Sequence, residues 1–281
     1  MALYTAGAGA ILTPAQVESL VVRPVIDQAV SSQVSTVIQI STHDLRIPIV
    51  LSDPSAAFVA EGSEIPASDA AVTEQVVTPR KLAALSIISS ELAQDSSPAA
   101  LQVVGDGIVR DVKRQLDASF FKAAPGTTPD GPSGLGSLTT AVASNGGSWS
   151  NLDAFEAAKA NAETLFTEVT AFVAAPATVL ALSTLKAFAT VGSNMPLLQQ
   201  DPTQPVARTI SGIPLYSSPA CAADVVWAIP AERVLFVVRQ DATVVSDSSV
   251  MFTSDRVAIR CTMRVSYAFT QPLSITKITK A

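Results

Sequence analysis

Residues 47–79 read IPIVLSDPSAAFVAEGSEIPASDAAVTEQVVTP, and the organisation of the chain turns on this stretch. It opens and closes with strand-forming pieces, Ile47-Pro48-Ile49-Val50-Leu51 and Val76-Val77. The stretch holds one glycine, small Ala and Ser residues and five acids (Asp53, Glu61, Glu64, Asp69, Glu74), and it contains no Lys or Arg. It is too poor in large apolar residues to build a core of its own, and too rich in strand formers for a flexible linker. The simplest geometry is a long two-stranded acidic arm that leaves its own domain. An isolated hairpin is marginal in water, so another surface must hold it. Phe58, Val59 and Ile65 are the candidates for that hold, with Glu61, Glu64 and Asp69 guiding register.

The totals point the same way. The chain has 281 residues, 48% of them hydrophobic and only 15% charged, against a usual charged share of about 25%. So few charges cannot cover a monomer's surface, and much of that surface is expected to bury against copies of itself. A net charge of −6 argues against sequence-specific nucleic-acid binding, which depends on neutralising phosphates. The most apolar run, Ala171 to Ser183, is broken by Pro176 and falls short of the ~20 residues of a membrane span. The N-terminus lacks the basic start and apolar middle of a secretory signal. Cys221 and Cys261 lie far apart and read as a free buried pair.

Thr13-Pro14 has the cap and first-turn proline of a short helix, and residues 30–42 alternate as a strand. Lys81 to Ser90 reads as a buried strand. From Ser97-Pro98 to Lys122, the residues Leu101, Val104, Ile108, Val112, Leu116 and Phe120 recur every three or four positions, the pattern of a long amphipathic helix. Its other faces carry Arg110, Lys113 and Arg114, with Asp106–Arg110 and Lys113–Asp117 at ion-pair spacing. Pro125 to Ser148 is a Gly/Pro/Ser-rich connection. A helix from about Asn151 to Phe166, a strand at Phe172-Val173, a helix from Pro176 to about Thr190, and strands at 213–216, 225–229 and 234–238 follow. From 257 to 269 every odd position is apolar, while Arg256, Arg260 and Arg264 fall on the even face of one long strand.

Catalytic machinery is thin. The one histidine, His43, has no Gly-x-Ser-x-Gly elbow to serve. The metal-ligating types are isolated, and no phosphate-binding glycine motif occurs. Ser183-Thr184-Leu185-Lys186 matches a Ser-x-x-Lys pattern, but its companion motifs are absent, so Lys186 reads as a helix-surface residue. Paired acids would suit a glycosidase, but only 5% of residues are aromatic. No catalytic residue, cofactor or metal is expected, and the chain is read as a non-enzyme.

The order of these features, with Phe58-Val59-Ala60-Glu61-Gly62-Ser63-Glu64-Ile65-Pro66, Pro79-Arg80-Lys81-Leu82, Ser89-Ser90-Glu91-Leu92, Gly212-Ile213-Pro214-Leu215 and Met251-Phe252-Thr253-Ser254-Asp255, resembles the major capsid proteins of tailed bacteriophages, the Hong Kong 97-type fold. That resemblance implies an α+β chain divided into an N-terminal arm (1–42), an extended hairpin loop with flanking strands (43–86), a peripheral domain with a spine helix (87–125), an axial domain (126–245) and peripheral C-terminal strands (246–281). It implies self-assembly, as pentamers and hexamers, into an icosahedral shell around double-stranded DNA, built in the host cytoplasm. Separate scaffolding, portal and decoration proteins would be further partners; no membrane is involved. The hairpin would lie across a neighbouring subunit, landing on Arg110, Lys113 and Arg114 or on Arg256, Arg260 and Arg264.

Two departures stand out. Some members weld their shells through a loop lysine, and none lies between Arg46 and Arg80. The arm is also reached almost at once, so a scaffold is expected as a separate protein. An encapsulin-type compartment shares the implied fold, and a soluble hydrolase built on the acids and Ser183–Lys186 is the rival from another class.

Overall fold

The computed structural model describes residues 29–52, 71–89, 99–122, 131–186, 197–198 and 208–280, together with 54, 56, 58–60, 62, 67 and 69. The short helix expected at Thr13-Pro14 lies outside them. In chain order the elements are the single turn α1 (Val30–Gln33), β1 (Thr36–Gln39), β2 (Leu45–Ser52), β3 (Ala71–Val77), β4 (Arg80–Ser89), α2 (Ala99–Phe121), β5 (Ala141–Ser144), α3 (Asp153–Thr164), β6 (Ala171–Ala174), α4 (Pro176–Ser183), β7 (Thr209–Ile210), β8 (Ile213–Ser217), β9 (Val225–Ile229), β10 (Val234–Met251), β11 (Arg256–Phe269) and β12 (Thr276–Thr279).

A four-stranded sheet in the order β1-β10-β11-β4 forms one half of the fold. The period-2 pattern of β11 sorts its side chains. Ile259, Cys261, Met263, Val265, Tyr267 and Phe269 enter the core with Phe236 and Val238 of β10. The long helix α2 covers that face, burying Ile108, Val112, Leu116 and Phe120 at its three-to-four spacing. Its 23 residues span about 35 Å at ~1.5 Å each. The Tyr267 hydroxyl pins the helix end, donating to the Leu116 carbonyl at 2.9 Å and lying 2.8 Å from Ser119 Oγ. Burial pushes this phenol well above its usual range, which keeps it a neutral donor.

A six-stranded mixed sheet, β5-β12-β9-β6-β8-β7, forms the second half. α3 and α4 pack on one face through Phe155, Ala158, Val179 and Leu182 against Phe172, Val226 and Ile278. The other face gives Ala171, Val173, Trp227 and Ile229 to the core that α2 shares with the first sheet. Both faces of β6 are therefore covered. This is why Ala171-Phe172-Val173-Ala174 is buried throughout and reads as an unbroken apolar run.

Several expectations need correction. The strand at 30–42 shrinks to β1, because residues 30–33 turn as α1. β4 is an alternately exposed edge strand, not a buried one. α4 ends at Ser183, where the Thr184 N–H closes onto the Leu180 carbonyl, well before Thr190. The strand begun at Val234 continues through 18 residues, so a boundary at 245/246 falls inside β10. β12 joins the other sheet beside β5 and β9, away from the C-terminal strands it was grouped with. Asp117 faces inward at 6% exposure and makes no surface pair with Lys113; Arg114 approaches Asp111 instead, at 3.9 Å.

Gly134 marks where the chain after α2 crosses back over it. A Cβ there would meet the carbonyl oxygens of Ser119 and Phe120, within 2.5 Å of the latter. Neither backbone can yield cheaply, so Gly134→Ala should destabilise the fold by about 1–3 kcal/mol. Gly105 lies inside α2 with nothing within 4 Å of such an atom. Gly105→Ala should therefore stabilise by about 0.5–1 kcal/mol. Denaturant midpoints moving in opposite directions are the expected result; equal shifts would refute the close crossing.

Candidate assembly surface

The acidic arm is a two-stranded antiparallel sheet, β2 with β3, paired from Leu45↔Val77 to Val50↔Val72. Alternation gives it two different faces. At its root Leu45, Ile47 and Val77 pack with Leu235, Val237 and Ala268, on the face of the four-stranded sheet opposite α2. The Thr78 hydroxyl first, with help from His43 at 2.9 Å, holds the Asp44 carboxyl below its usual range. The other face leaves Val50, Val72 and Val76 more than half exposed. Arg46, near the root, lies 3.4 Å from Glu74 across the hairpin.

At ~3.4 Å per residue, the eight residues of β2 carry the arm about 27 Å from its root. Beyond them Phe58 is completely exposed and Val59 and Asp69 are exposed. Glu61, Glu64 and Ile65 lie outside the described residues. The arm thus presents apolar side chains and acids to solvent together.

The two cationic surfaces lie on opposite sides of the sheet. Arg110 and Arg114 are exposed and Lys113 half-buried on α2, which covers the inner face. Arg256 and Arg260 are exposed and Arg264 half-buried on the opposite face of β11. Strand register places this second set in rows: Gln240, Arg264 and Lys81; Val245, Arg260 and Leu85; Asp247, Ala258 and Ile87; Met251, Arg256 and Ser89. Leu85, Val245 and Ile87 are 65%, 49% and 39% exposed. Apolar and cationic side chains therefore interleave on an uncovered sheet face that begins where the hairpin root stops. On α2, from 105 to 121, no large apolar residue is exposed.

Sequence reasoning found the arginines and missed their apolar neighbours. The signal is in Leu82-Ala83-Ala84-Leu85-Ser86-Ile87-Ile88, which reads as a buried strand because all but Ser86 are apolar.

The remaining candidates hold no assembled chemistry. The Ser183 hydroxyl donates to the Val179 carbonyl at 2.8 Å, within its own helix, and Lys186 is exposed. Among the described residues no three His, Cys, Asp or Glu side chains cluster as a metal site. An open depression of about 330 Å³ between β5 and α3 is lined by small residues, with Asp153 and Asn161 at its rim. Cys221 and Cys261 are free and buried. Burial first, then the Asp117 carboxylate, pushes the Cys221 thiol up to about 12; burial raises Cys261. No described helix is long and apolar enough to cross a membrane.

The model of the phage capsid family matches residues 9–280. The chain belongs to the phage capsid family. It is a major capsid protein and a component of the virion shell. Solved structures share its α+β fold. The "Capsid of native GTA particle computed with C5 symmetry" superposes with a TM-score of 0.71 at 17% identity, covering 90% of each chain. A Mycobacterium phage Bobi chain gives 0.72 at 14% identity, over 96% of this capsid chain and 99% of its own. A Microbacterium phage Oxtober96 chain gives 0.71 at 17%, over 90% and 91%. Comparison with curated proteins finds no matching sequence.

Proposed function

We propose that this capsid chain self-assembles, as pentamers and hexamers, into an icosahedral Hong Kong 97-type head enclosing double-stranded DNA. The hairpin is the extended loop that joins one subunit to the next. The four-stranded sheet with α2 serves as the peripheral domain and the six-stranded sheet with α3 and α4 as the axial domain. Assembly takes place in the host cytoplasm, with portal, scaffolding or decoration proteins as separate partners. Burial of apolar area supplies the hold, at ~25 cal/mol per Å², and heterologous contacts close on symmetry axes.

The observation that carries this reading is the hairpin itself. Its root is packed while the rest exposes Val50, Val72, Val76 and Phe58 to solvent. Exposed apolar side chains on a two-stranded arm need a partner surface. The open sheet face of a neighbour offers Leu85, Ile87 and Val245 for those residues, and Lys81, Arg256, Arg260 and Arg264 for Asp69 and Glu74. Electron microscopy of the expressed protein tests the reading; particles that stay monomeric at high concentration would overturn it.

Charge reversal distinguishes the two landing surfaces. Exposed pairs contribute ~0–1 kcal/mol each, so the triple variant R256E/R260E/R264E should raise the concentration needed for assembly by about tenfold or more. The variant R110E/R114E changes a face without exposed apolar neighbours and should shift assembly much less. Both should fold normally by circular dichroism. Light scattering against concentration reads the result, and the reverse order of effects would move the landing site to α2.

A further inference from the structure

Residues 29–35 form a strap across the subunit, and its fastening comes from far away in the sequence. The turn α1 begins after Ala29, which makes no side-chain cap bond. Its first amides are taken by α2 instead. Ser31 N–H donates to Oδ1 of Asp117 at 3.0 Å and Val30 N–H to Oδ2 at 3.4 Å, across 86 and 87 residues. Asp117 is 6% exposed, and Ala29 and Ser31 are fully covered. Val34 enters the same core as Leu116 and Phe120.

A covered carboxylate needs donors, because leaving it unpaired costs far more than a surface pair returns. The strap amides are the ones the fold aims at it. Within the strap the Ser32 and Ser35 hydroxyls bond the Ala29 and Ser31 carbonyls, while the Ser31 hydroxyl is buried without a partner. One buried carboxylate therefore takes both of the strap's leading amides.

We propose that Asp117 is a latch, tying the strap at residues 29–35 to α2 so that the strap cannot lift without stranding a buried charge. The backbone at Ala29 and Val30 is thereby held at a point that α2 fixes. The latch belongs to the single subunit and stands whatever that subunit assembles into.

The two cysteines make it testable in the full chain. Cys221 lies in the core beside Asp117, while Cys261 sits on β11. In Asp117→Ala, amide hydrogen exchange over 29–35 should rise about tenfold or more, the loss of roughly one charge-assisted bond. Maleimide labelling of Cys221 should accelerate while Cys261 stays protected. Asp117→Asn keeps one acceptor oxygen and should fall between. Unchanged exchange in Asp117→Ala would overturn the latch. If that variant labels Cys261 as well, it has unfolded, and Asp117→Asn, which keeps the side-chain volume and removes the charge, becomes the deciding test. Faster exchange at 29–35 then supports the latch, and wild-type protection overturns it.

Discussion

A chain lacking Ser55–Thr73 is expected to fold and to build no shells. The register explains why folding survives. The pairs Leu45↔Val77, Arg46↔Val76, Ile47↔Gln75 and Pro48↔Glu74 all remain, and residues 49–54 close the shortened hairpin. Leu45, Ile47 and Val77 stay packed on Leu235, Val237 and Ala268, so the root keeps its own core. What goes is the outward part of the arm: Phe58, Val59, Asp69, Val72 and every acid of the stretch except Asp53 and Glu74. Fully burying one large apolar side chain contributes about 1.5–3 kcal/mol. Losing two or three such contacts per subunit raises the concentration needed for assembly by roughly a thousandfold. Size-exclusion with light scattering should show a small, folded species with an unchanged circular dichroism spectrum. Normal particles from this deletion would mean that the arm is dispensable and that assembly rests on other surfaces.

Much of this architecture is legible from local pattern, and the rest for identifiable reasons is not. α2, from Gly105 onward, and β11 are legible because each buries one face over many residues, so a single period persists. β10 was read only to Val238. Register shifts between Val238 and Gln240, and again between Gln240 and Thr243, slip the phase of alternation and erase the signal, while pairing on both sides keeps the strand intact. β5 and β12, four residues each, are too short for any period and exist because they pair with one another and β12 also pairs with β9. The role of Asp117 was misread because helical spacing to Lys113 suggested a surface pair, and nothing local reports that the amides of Val30 and Ser31 lie against it.

The candidate assembly surface divides in the same manner. The arginines of β11 and the acids of the arm show in the sequence as charge on an alternating face. The exposed Leu85, Ile87 and Val245 do not, because an apolar residue reads as buried unless one knows which strands lie at an edge and which face is left uncovered. On the proposed assembly surface the apolar members are side chains that the single chain leaves exposed. Composition could say that such a surface must exist, since 15% charged residues cannot clothe a monomer, but only the fold says where it is.

Phe120→Ala should be the most destabilising single core substitution, at about 3–5 kcal/mol. Phe120 is fully buried and sits at the meeting of α2 with the sheet. It makes edge contacts with Phe121 at 5.0 Å and Tyr267 at 5.1 Å, and a tilted contact with Phe269 at 6.2 Å. Tyr267 in turn contacts Phe236 at 5.5 Å and bonds the helix carbonyl at Leu116, so the ring supports a hydrogen bond as well as packing. The backbone of Phe120 is also in close contact with Gly134, so this end of the helix can shift only together with the chain that crosses it. A site that cannot collapse carries the full cavity cost on top of the lost transfer energy. Against a typical stability of about 5–15 kcal/mol, that loss is enough to leave a subunit partly unfolded at assembly temperature. Denaturation is best measured in the Ser55–Thr73 deletion background, where shell formation no longer adds to apparent stability. Phe120→Leu, which keeps most of the volume, should lose markedly less. A loss below about 1 kcal/mol for Phe120→Ala would show that α2 does not pack on β11 through this ring, and the placement of the spine helix against the sheet would have to be redrawn.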